Sequence, residues 1–353
     1  MTQEPLKLKF VGALVEQLGA QLYPSATATV AELISNAWDA DARNVWVTIP
    51  LGQSWSTDDK VEVFDDGHGM TREQAQEQYL VVGRKRRLQD HGMTREGRLV
   101  HGRKGIGKLA AFGTAKVLEC YSVRDNQAVS FRLDYENIRK SDPGAECEVE
   151  ETTNQDPLYA PDGSELRSGT RVRLLSLRLK RAISEDQFIK SMSRRFAIDQ
   201  TLMRVFINGQ QLQRFDMDLE YRFPKDGKPV GYTVEVGEDG WGIETLSDGK
   251  EVRWWIGFTP KPLEAEYLRG ISILGRGKLL QRPFMFERAQ GVRGQLGQEY
   301  IVGEVIADWL DFGTDIEDDL IQTNRDQLQL EDERVEEILV WGRRRLDWAL
   351  EAV

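Results

Sequence analysis

Residues 30–42 read VAELISNAWDADA, and this stretch carries the clearest structural pattern in the chain. Its apolar residues recur at the spacing of a helix that packs one side on a core, at Val30, Leu33, Ile34, Ala37 and Trp38. Glu32, Asn36 and Asp39 follow at i, i+4 and i+7, so they share the opposite face. An ordinary solvated face is the alternative, but this one offers an amide and two carboxylates without Lys or Arg. We therefore predict a helix with a functional polar face.

A glycine turn, DDGHGM at 65–70, follows a predicted strand. Residues 60–64 alternate in polarity and are rich in strand formers. Asp65 would leave this strand pointing into a cleft, and Gly67 and Gly69 permit a tight turn with close backbone approach. A buried carboxylate there can accept a hydrogen bond from an exocyclic amine, such as that of adenine. A plain surface turn is the alternative, because Asp and Gly are common turn residues.

A third segment, GRKGIGK at 102–108, matches the first seven positions of a P-loop. Leu109 stands where a P-loop has the hydroxyl that binds magnesium, and no clear strand precedes the segment. A flexible hinge that opens a helix at 108–112 is the better interpretation. Helix N-termini bind phosphate through free N–H groups and the helix dipole, and Lys104 and Lys108 would add positive charge.

The ordered set ELISNAWDA, DDGHGM and GRKGIGKLAAF, followed by Gly169-Thr170 in a β-rich run, resembles the GHKL ATPases, which include gyrase B, heat-shock chaperones, histidine kinases and MutL. RVFINGQQL (204–212), GISILGRGKLLQRPF (270–284) and IQTNRDQL (321–328) are similar to the transducer domain of MORC-type members. The resemblance implies an α+β protein. A Bergerat-type α/β sandwich ATPase domain would span 1–177, with a lid at about 82–107. A transducer-type, ribosomal S5-like α/β domain would span 178–330.

The resemblance also implies roles for individual residues. Glu32 matches the general base that orients and deprotonates the attacking water, and Asn36 matches the Mg²⁺ ligand. Asp65 matches the adenine-reading carboxylate, and Thr170 matches the hydroxyl beside it. Arg325 matches a second-domain arginine that reaches the terminal phosphate, with a surface arginine as the alternative. The remaining implied nucleotide-binding positions are Asp39, Gly67, Gly69, Met70, Gly102, Lys104, Gly105, Ile106, Gly107 and Lys108, of which Lys108 is also an expected catalytic residue.

Composition sets limits on the function. The chain has 353 residues, with 47 basic and 58 acidic side chains and a formal net charge of −11, so no general basic character argues for nucleic acid. Basic clusters are local, as at 84–87 and 343–345, and each is most simply a solvated charge run. Two cysteines without metal-ligand spacing indicate a reducing compartment. With neither a signal sequence nor an apolar run of membrane-spanning length, we expect a cytoplasmic location without membrane contact.

The implied function is an ATP-operated switch. ATP and Mg²⁺ would be the cofactors, and lid closure would favour a homodimeric clamp that hydrolysis reopens. By family analogy, DNA is a candidate partner and antiviral defence a candidate setting, with an effector protein or C-terminal region as a further partner. A chaperone-like or protein-interaction module without a DNA role is the main alternative. A sensor histidine kinase is less suitable, because no histidine precedes His68.

Other elements follow from periodicity and from start and stop signals. Ser25, Thr27 or Thr29 could cap the first helix. An acidic stretch at 141–169 with Pro, Gly and Ser is predicted as a loop. The last helix, at 331–353, ends without a stop signal and is expected to lead into a further region. Strands are predicted near 45–49, 116–123, 128–134, 170–175, 204–207, 230–236, 251–258, 270–274 and 299–306, and a helix near 184–197.

Overall fold

The computed structural model of the chain describes most of the sequence in two compact units. The described residues are 7–10, 25–82, 92–102, 110–125, 127–140, 147–152, 157–178, 181–196, 201–214, 216–287, 297–311, 320–321 and 327–353. The first unit comprises Met1–Ser193 and Asp199–Gln213, and the second comprises Arg194–Ile198 and Arg214–Val353. The α+β class predicted from the sequence is confirmed, because both units combine sheets with helices.

The described helices and strands run in chain order as follows. The α-helices are α1 (Ala26–Asp39), α2 (Arg72–Gln74), α3 (Ala111–Thr114), α4 (Tyr135–Lys140), α5 (Glu185–Arg195) and α6 (Glu333–Ala352), and short π or 3₁₀ turns lie at Ala75–Tyr79, Glu266–Leu268, Gln298–Tyr300 and Asp308–Asp311. The strands of the first unit are β1 (Lys7–Phe10), β2 (Asn44–Thr48), β3 (Val61–Asp65), β4 (Val81–Val82), β5 (Ala115–Arg124), β6 (Gln127–Asp134), β7 (Cys147–Glu148), β8 (Glu150–Glu151), β9 (Leu158–Tyr159), β10 (Glu165–Leu166), β11 (Gly169–Leu177), β12 (Arg204–Ile207) and β13 (Gln210–Gln211). Those of the second unit are β14 (Tyr221–Phe223), β15 (Glu235–Val236), β16 (Gly242–Thr245), β17 (Glu251–Phe258), β18 (Gly270–Gly275), β19 (Lys278–Phe284) and β20 (Ile301–Ile306).

The first unit is built on an eight-stranded sheet in the order β13-β12-β2-β3-β11-β5-β6-β8. Strand β12 pairs with β2 in parallel, and the other neighbours are antiparallel. Because β12 is hydrogen-bonded to β2, the first unit extends to Gln213, beyond the boundary at 177/178 that the sequence suggested. A β9–β10 hairpin and a small β4-β1-β7 sheet complete the strands described here.

Helix α1 packs its apolar stripe into the core of the first unit. Ser25 caps it by accepting a hydrogen bond from the Ala28 N–H at 3.2 Å. Val30 and Ile34 are fully buried, as the periodicity predicted. Burial of a side chain of this size contributes about 1.5–3 kcal/mol, so the stripe holds α1 firmly in the unit. The helix carries Glu32 and Asn36, and its fixed position also fixes theirs.

The second unit has a seven-stranded sheet in the order β15-β16-β17-β20-β18-β19, with β14 paired to β17. Strands β18 and β20 are parallel, and the other pairs are antiparallel. Helix α6 contributes Ile338 and Leu346 to the same buried cluster as Trp254 of β17. A buried ion pair, Glu244 with Arg345, also belongs to this unit.

Two local predictions were wrong. The acidic stretch at 141–169 is not simply a loop, because β7 to β10 lie within it and β8 pairs with the edge of β6. The strand predicted at 230–236 is reduced to β15, the two residues Glu235–Val236. In the acidic stretch, the pairing of β8 with β6 decides the structure and leaves little trace in local sequence, whereas β15 is limited to the two residues that pair with the neighbouring β16.

Candidate functional site

A cavity of about 390 Å³ opens between the polar face of α1 and the sheet of the first unit. Its volume is within the range of small-molecule sites, about 300–1,000 Å³. The sequence-predicted site residues that line it are Asn36, Asp39, Asp65, Gly69, Met70 and Thr170. Lys104, Gly105, Ile106, Gly107, Lys108 and Arg325 lie outside the described residues. Three separate sequence stretches therefore contribute to one cavity.

Asp65 ends strand β3 and lies at the base of the cavity, 7% exposed. Its Oδ1 accepts a hydrogen bond from the Gly67 N–H at 2.9 Å. The pKa of Asp65 is raised to about 7, chiefly by burial and also by the charge of Asp66, against the opposing effect of backbone hydrogen bonds from Gly67 and Thr170. The sheet therefore holds the Asp65 carboxyl group in a buried environment. A ligand that donates hydrogen bonds to this group would stabilise its ionised form.

The glycines after Asp65 are required by close backbone contacts. Gly69 has a φ of +59°, and a Cβ added there would lie 1.9 Å from the carbonyl oxygen of Val123. A Cβ added to Gly67 would lie 2.6 Å from the carbonyl oxygen of Ala40, at the C-terminal end of α1. The turn thus packs closely between the end of α1 and β5. This packing fixes the orientation of the Asp65 side chain.

A row of polar side chains crosses the sheet beside Asp65. Thr170 lies opposite Asp65 in the β11–β3 register and opposite Ser122 in the β11–β5 register. The Ser122 hydroxyl donates to the Gly169 carbonyl at 3.0 Å and accepts from the Met70 N–H at 3.0 Å. Because its only hydrogen is used, the 2.9 Å contact with Thr170 has the Thr170 hydroxyl as donor. Thr170 therefore presents oxygen lone pairs to a ligand.

Ser122 was not predicted from the sequence, although it is fully buried and connects two of the predicted residues. The signal that could have found it is a small polar residue at a buried position within the apolar run of β5. Its function depends on the register of β11, which a single sequence does not give.

The polar face of α1 is buried and not solvated. Glu32 is 4% exposed and Asp39 is 1% exposed, whereas Asn36 is half-buried and lines the cavity. The side-chain amide of Asn36 makes no hydrogen bond within the described part of the chain, so its oxygen is available to a ligand. Glu32 lies one turn before Asn36 on the same face but is not itself among the residues that line the cavity.

Asp39 is fully engaged by backbone donors. One oxygen accepts the His101 N–H at 2.6 Å, and the other accepts the Gly102 N–H at 2.9 Å. Trp38 adds a hydrogen bond from its indole nitrogen to the Leu99 carbonyl at 2.9 Å and stacks on the His101 ring. The C-terminal turn of α1 therefore anchors His101 and Gly102, the point at which the GRKGIGK segment begins.

Residues 92–102, part of the predicted lid, form a short hairpin in which Met93 pairs with Leu99. Arg98 fastens this hairpin by donating to the carbonyls of Ala42 at 2.8 Å and Leu202 at 2.9 Å. Residues 83–91 and 103–107 of the predicted lid lie outside the described residues. Within the described part, Arg95 brings a guanidinium to the wall of the cavity.

The fold and the cavity define an α+β domain with a cavity of small-molecule size, and comparison with known proteins indicates what this domain is similar to. Residues 23–158 match a family model described as "Histidine kinase-, DNA gyrase B-, and HSP90-like ATPase". This part of the chain is therefore similar to the GHKL ATPases, in agreement with the resemblance that the motifs indicated.

The chain is also similar to a curated protein of Herpetosiphon aurantiacus, named "Putative type II restriction enzyme HgiDII". The two are 29% identical over 353 aligned residues, which cover 96% of this chain and 54% of the relative. The chain therefore spans about half the length of that relative.

Among the described residues, none of the helices combines the length and apolar character needed to cross a bilayer.

Proposed function

We propose that the chain binds Mg²⁺ and ATP in the cavity of the first unit and hydrolyses the ATP with Glu32 as the general base. The observation that carries this proposal is the convergence of Asn36, Asp65 and Thr170 on one cavity, with buried Glu32 one turn before Asn36. Asp65 supplies an acceptor for the amino group of adenine, and the three residues come from three different elements. The similarity of residues 23–158 to the ATPase family model supports the same activity.

The residues of the cavity are suited to Mg²⁺ and ATP. Mg²⁺ is usually held by one or two protein oxygens together with phosphate oxygens and water, so Asn36 alone is a sufficient protein ligand. Asp39 is a poorer candidate for the metal, because backbone N–H groups already engage both of its oxygens. The metal would neutralise charge on the phosphates, while Glu32 would orient the attacking water and take its proton.

ATP binding would also drive a conformational switch. Because Asp39 anchors residues 101–102 to the helix that carries Asn36 and Glu32, a shift of this helix would reach the start of the glycine segment. We propose that closure of the lid then favours a homodimeric clamp, and that Lys108 and Arg325 contact the phosphates. Such closure steps are slow and commonly limit turnover.

The proposal is tested with two variants of the purified chain. Glu32→Gln should keep the affinity for Mg²⁺ and ATP but lower phosphate release by at least about 100-fold, the usual contribution of a general base. Asp65→Asn should weaken ATP binding. Glu77→Gln, at an exposed position outside the cavity lining, is the matched control and should behave as the wild type. Normal hydrolysis by Glu32→Gln would reject the base assignment.

A role on DNA is the second part of the proposal, and the restriction-enzyme relative supports it. The net charge of −11 argues against general DNA affinity, so binding would depend on local basic clusters or on the ATP-bound dimer. A mobility-shift assay over a salt series, with and without a non-hydrolysable ATP analogue, tests this. Analogue-dependent, salt-sensitive binding would support a DNA-directed defence role, and no shift under any condition would favour the protein-interaction alternative.

A further inference from the structure

The side-chain amide of Gln74 has a fixed orientation at the wall of the cavity. Its Oε1 accepts a hydrogen bond from the Thr71 N–H at 3.0 Å, and the Thr71 hydroxyl accepts from the Gln74 N–H in return. The guanidinium of Arg124 donates to the same Oε1 at 2.9 Å. A backbone N–H and a guanidinium can only donate, so the atom they share is the amide oxygen. The amide nitrogen of Gln74 must therefore point the other way.

That nitrogen has hydrogen-bonding capacity to spare. Gln74 lines the same cavity as Asp65 and Thr170, and its NH₂ group makes no hydrogen bond within the described part of the chain. Arg124 is 9% exposed and lines the cavity as well, and its hydrogen bond keeps the Gln74 oxygen in place. The cavity thus has acceptors at Asp65 and Thr170 and a fixed donor at Gln74.

This arrangement matches a base edge on which an amino donor lies beside a ring-nitrogen acceptor, as it does in adenine. Adenine carries an amino donor on C6, flanked by the ring nitrogens N1 and N7, which are both acceptors. A carboxylate that reads the amino group needs a neighbouring donor to read either ring nitrogen. Asp65 alone would leave these two acceptors without a partner from the chain.

We propose that Gln74, held by Thr71 and Arg124, donates a hydrogen bond from its amide nitrogen to N1 or N7 of the bound adenine. Gln74 is then a specificity-determining residue beside Asp65. This inference rests on the proposed ATP site. It adds a residue that none of the three sequence motifs contains, and Arg124 acts only through Gln74 as a positioning residue.

The test couples a change in Gln74 to a change in the base. Binding of ATP, 1-deaza-ATP and 7-deaza-ATP is measured on the wild type and on Gln74→Glu. Glu at this position keeps the capping box with Thr71 and the bond to Arg124, so the fold should persist. It presents an acceptor to the cavity instead of a donor. Gln74→Met, which removes the donor without adding charge, is a second variant.

In the wild type, one of the two deaza analogues should bind about three- to tenfold more weakly than ATP, the effect of one neutral hydrogen bond. In both Gln74 variants that difference should disappear, and in Gln74→Glu the same analogue should bind at least as well as ATP. Gln76→Glu adds the same charge to the same segment at a position that does not line the cavity, and it should keep the wild-type difference.

The outcomes separate this inference from the proposed function. A deaza difference that is the same in the wild type and in both Gln74 variants would overturn the role of Gln74 while leaving the ATP site intact. So would tight binding of both analogues to the wild type. Absence of ATP binding to the wild type itself would reject the proposed function, and with it the inference.

Discussion

Asp65→Asn should stabilise the folded chain while weakening its binding of ATP. Asp65 is buried, and its pKa rises from the ordinary 3.8 to about 7 chiefly because burial penalises the ionised form. Between these two values the unfolded chain has lost the proton and the folded chain keeps it. The free energy of unfolding therefore falls as the pH rises from about 4 to about 7, and the full penalty is present above pH 7.

The size of this penalty follows from the two pKa values. At about 1.4 kcal/mol for each pH unit, the interval from 3.8 to about 7 corresponds to about 4 kcal/mol. Asn has nearly the same shape and no charge, and its Oδ1 can still accept the Gly67 N–H. At pH 8 and without nucleotide, Asp65→Asn should therefore be more stable than the wild type by up to about 4 kcal/mol, and near pH 4 the two should be equal.

Urea unfolding at a series of pH values, without nucleotide, measures this difference. Asp58→Asn removes an exposed carboxylate and serves as the control, which should follow the wild type at every pH. ATP titrations of the same samples should show weaker binding to Asp65→Asn. If the stability difference did not grow between pH 5 and pH 8, or if Asp65→Asn were the less stable protein at pH 8, the burial argument would be refuted.

Three further predictions concern other buried contacts in the two units. Ser122→Ala should lower the free energy of unfolding by about 1–3 kcal/mol, because the Met70 N–H and the Thr170 hydroxyl lose a buried acceptor; calorimetry checks this, and an unchanged melting temperature would contradict it. Asp39→Ala should speed hydrogen exchange at the amides of His101 and Gly102, whereas exchange in β17 should stay unchanged; equal protection in both proteins would exclude the anchor. Arg345→Met should destabilise the second unit by about 3–5 kcal/mol, since Glu244 keeps a buried charge without its partner, and adding Glu244→Gln should recover much of that loss in chemical denaturation.

The parts of the fold that sequence could predict are those set by local periodicity. The stripe around Ile34 decides both the existence of α1 and the face that it buries, because an apolar repeat of helical spacing has one favourable packing. Strand β3 and the position of Asp65 at its end are of the same kind. The order of the motifs along the chain then predicted the resemblance to the GHKL ATPases, and the family model matched at 23–158 agrees with that resemblance.

Features that depend on pairing between distant strands were not predictable in this way. Ser122 meets Thr170 only through the register of β11 on β5, and Gln74 is oriented by Arg124 from the end of β5. The parallel pairing of β12 with β2 moves the boundary of the first unit for the same reason. A register between strands that are distant in sequence is fixed by the packed sheet, and a single sequence does not carry it.

The two carboxylates on the polar face of α1 show how the environment separates chemically similar groups. Helical spacing places Glu32 and Asp39 on one face but cannot assign their roles. Two backbone N–H groups engage Asp39, one at each oxygen, which makes it a fixed link to Gly102. One face of α1 therefore holds the proposed base, the proposed metal ligand at Asn36 and the anchor of the glycine segment. Any movement of α1 relative to the sheet must alter all three together, and this is the physical requirement for coupling hydrolysis to a change in shape.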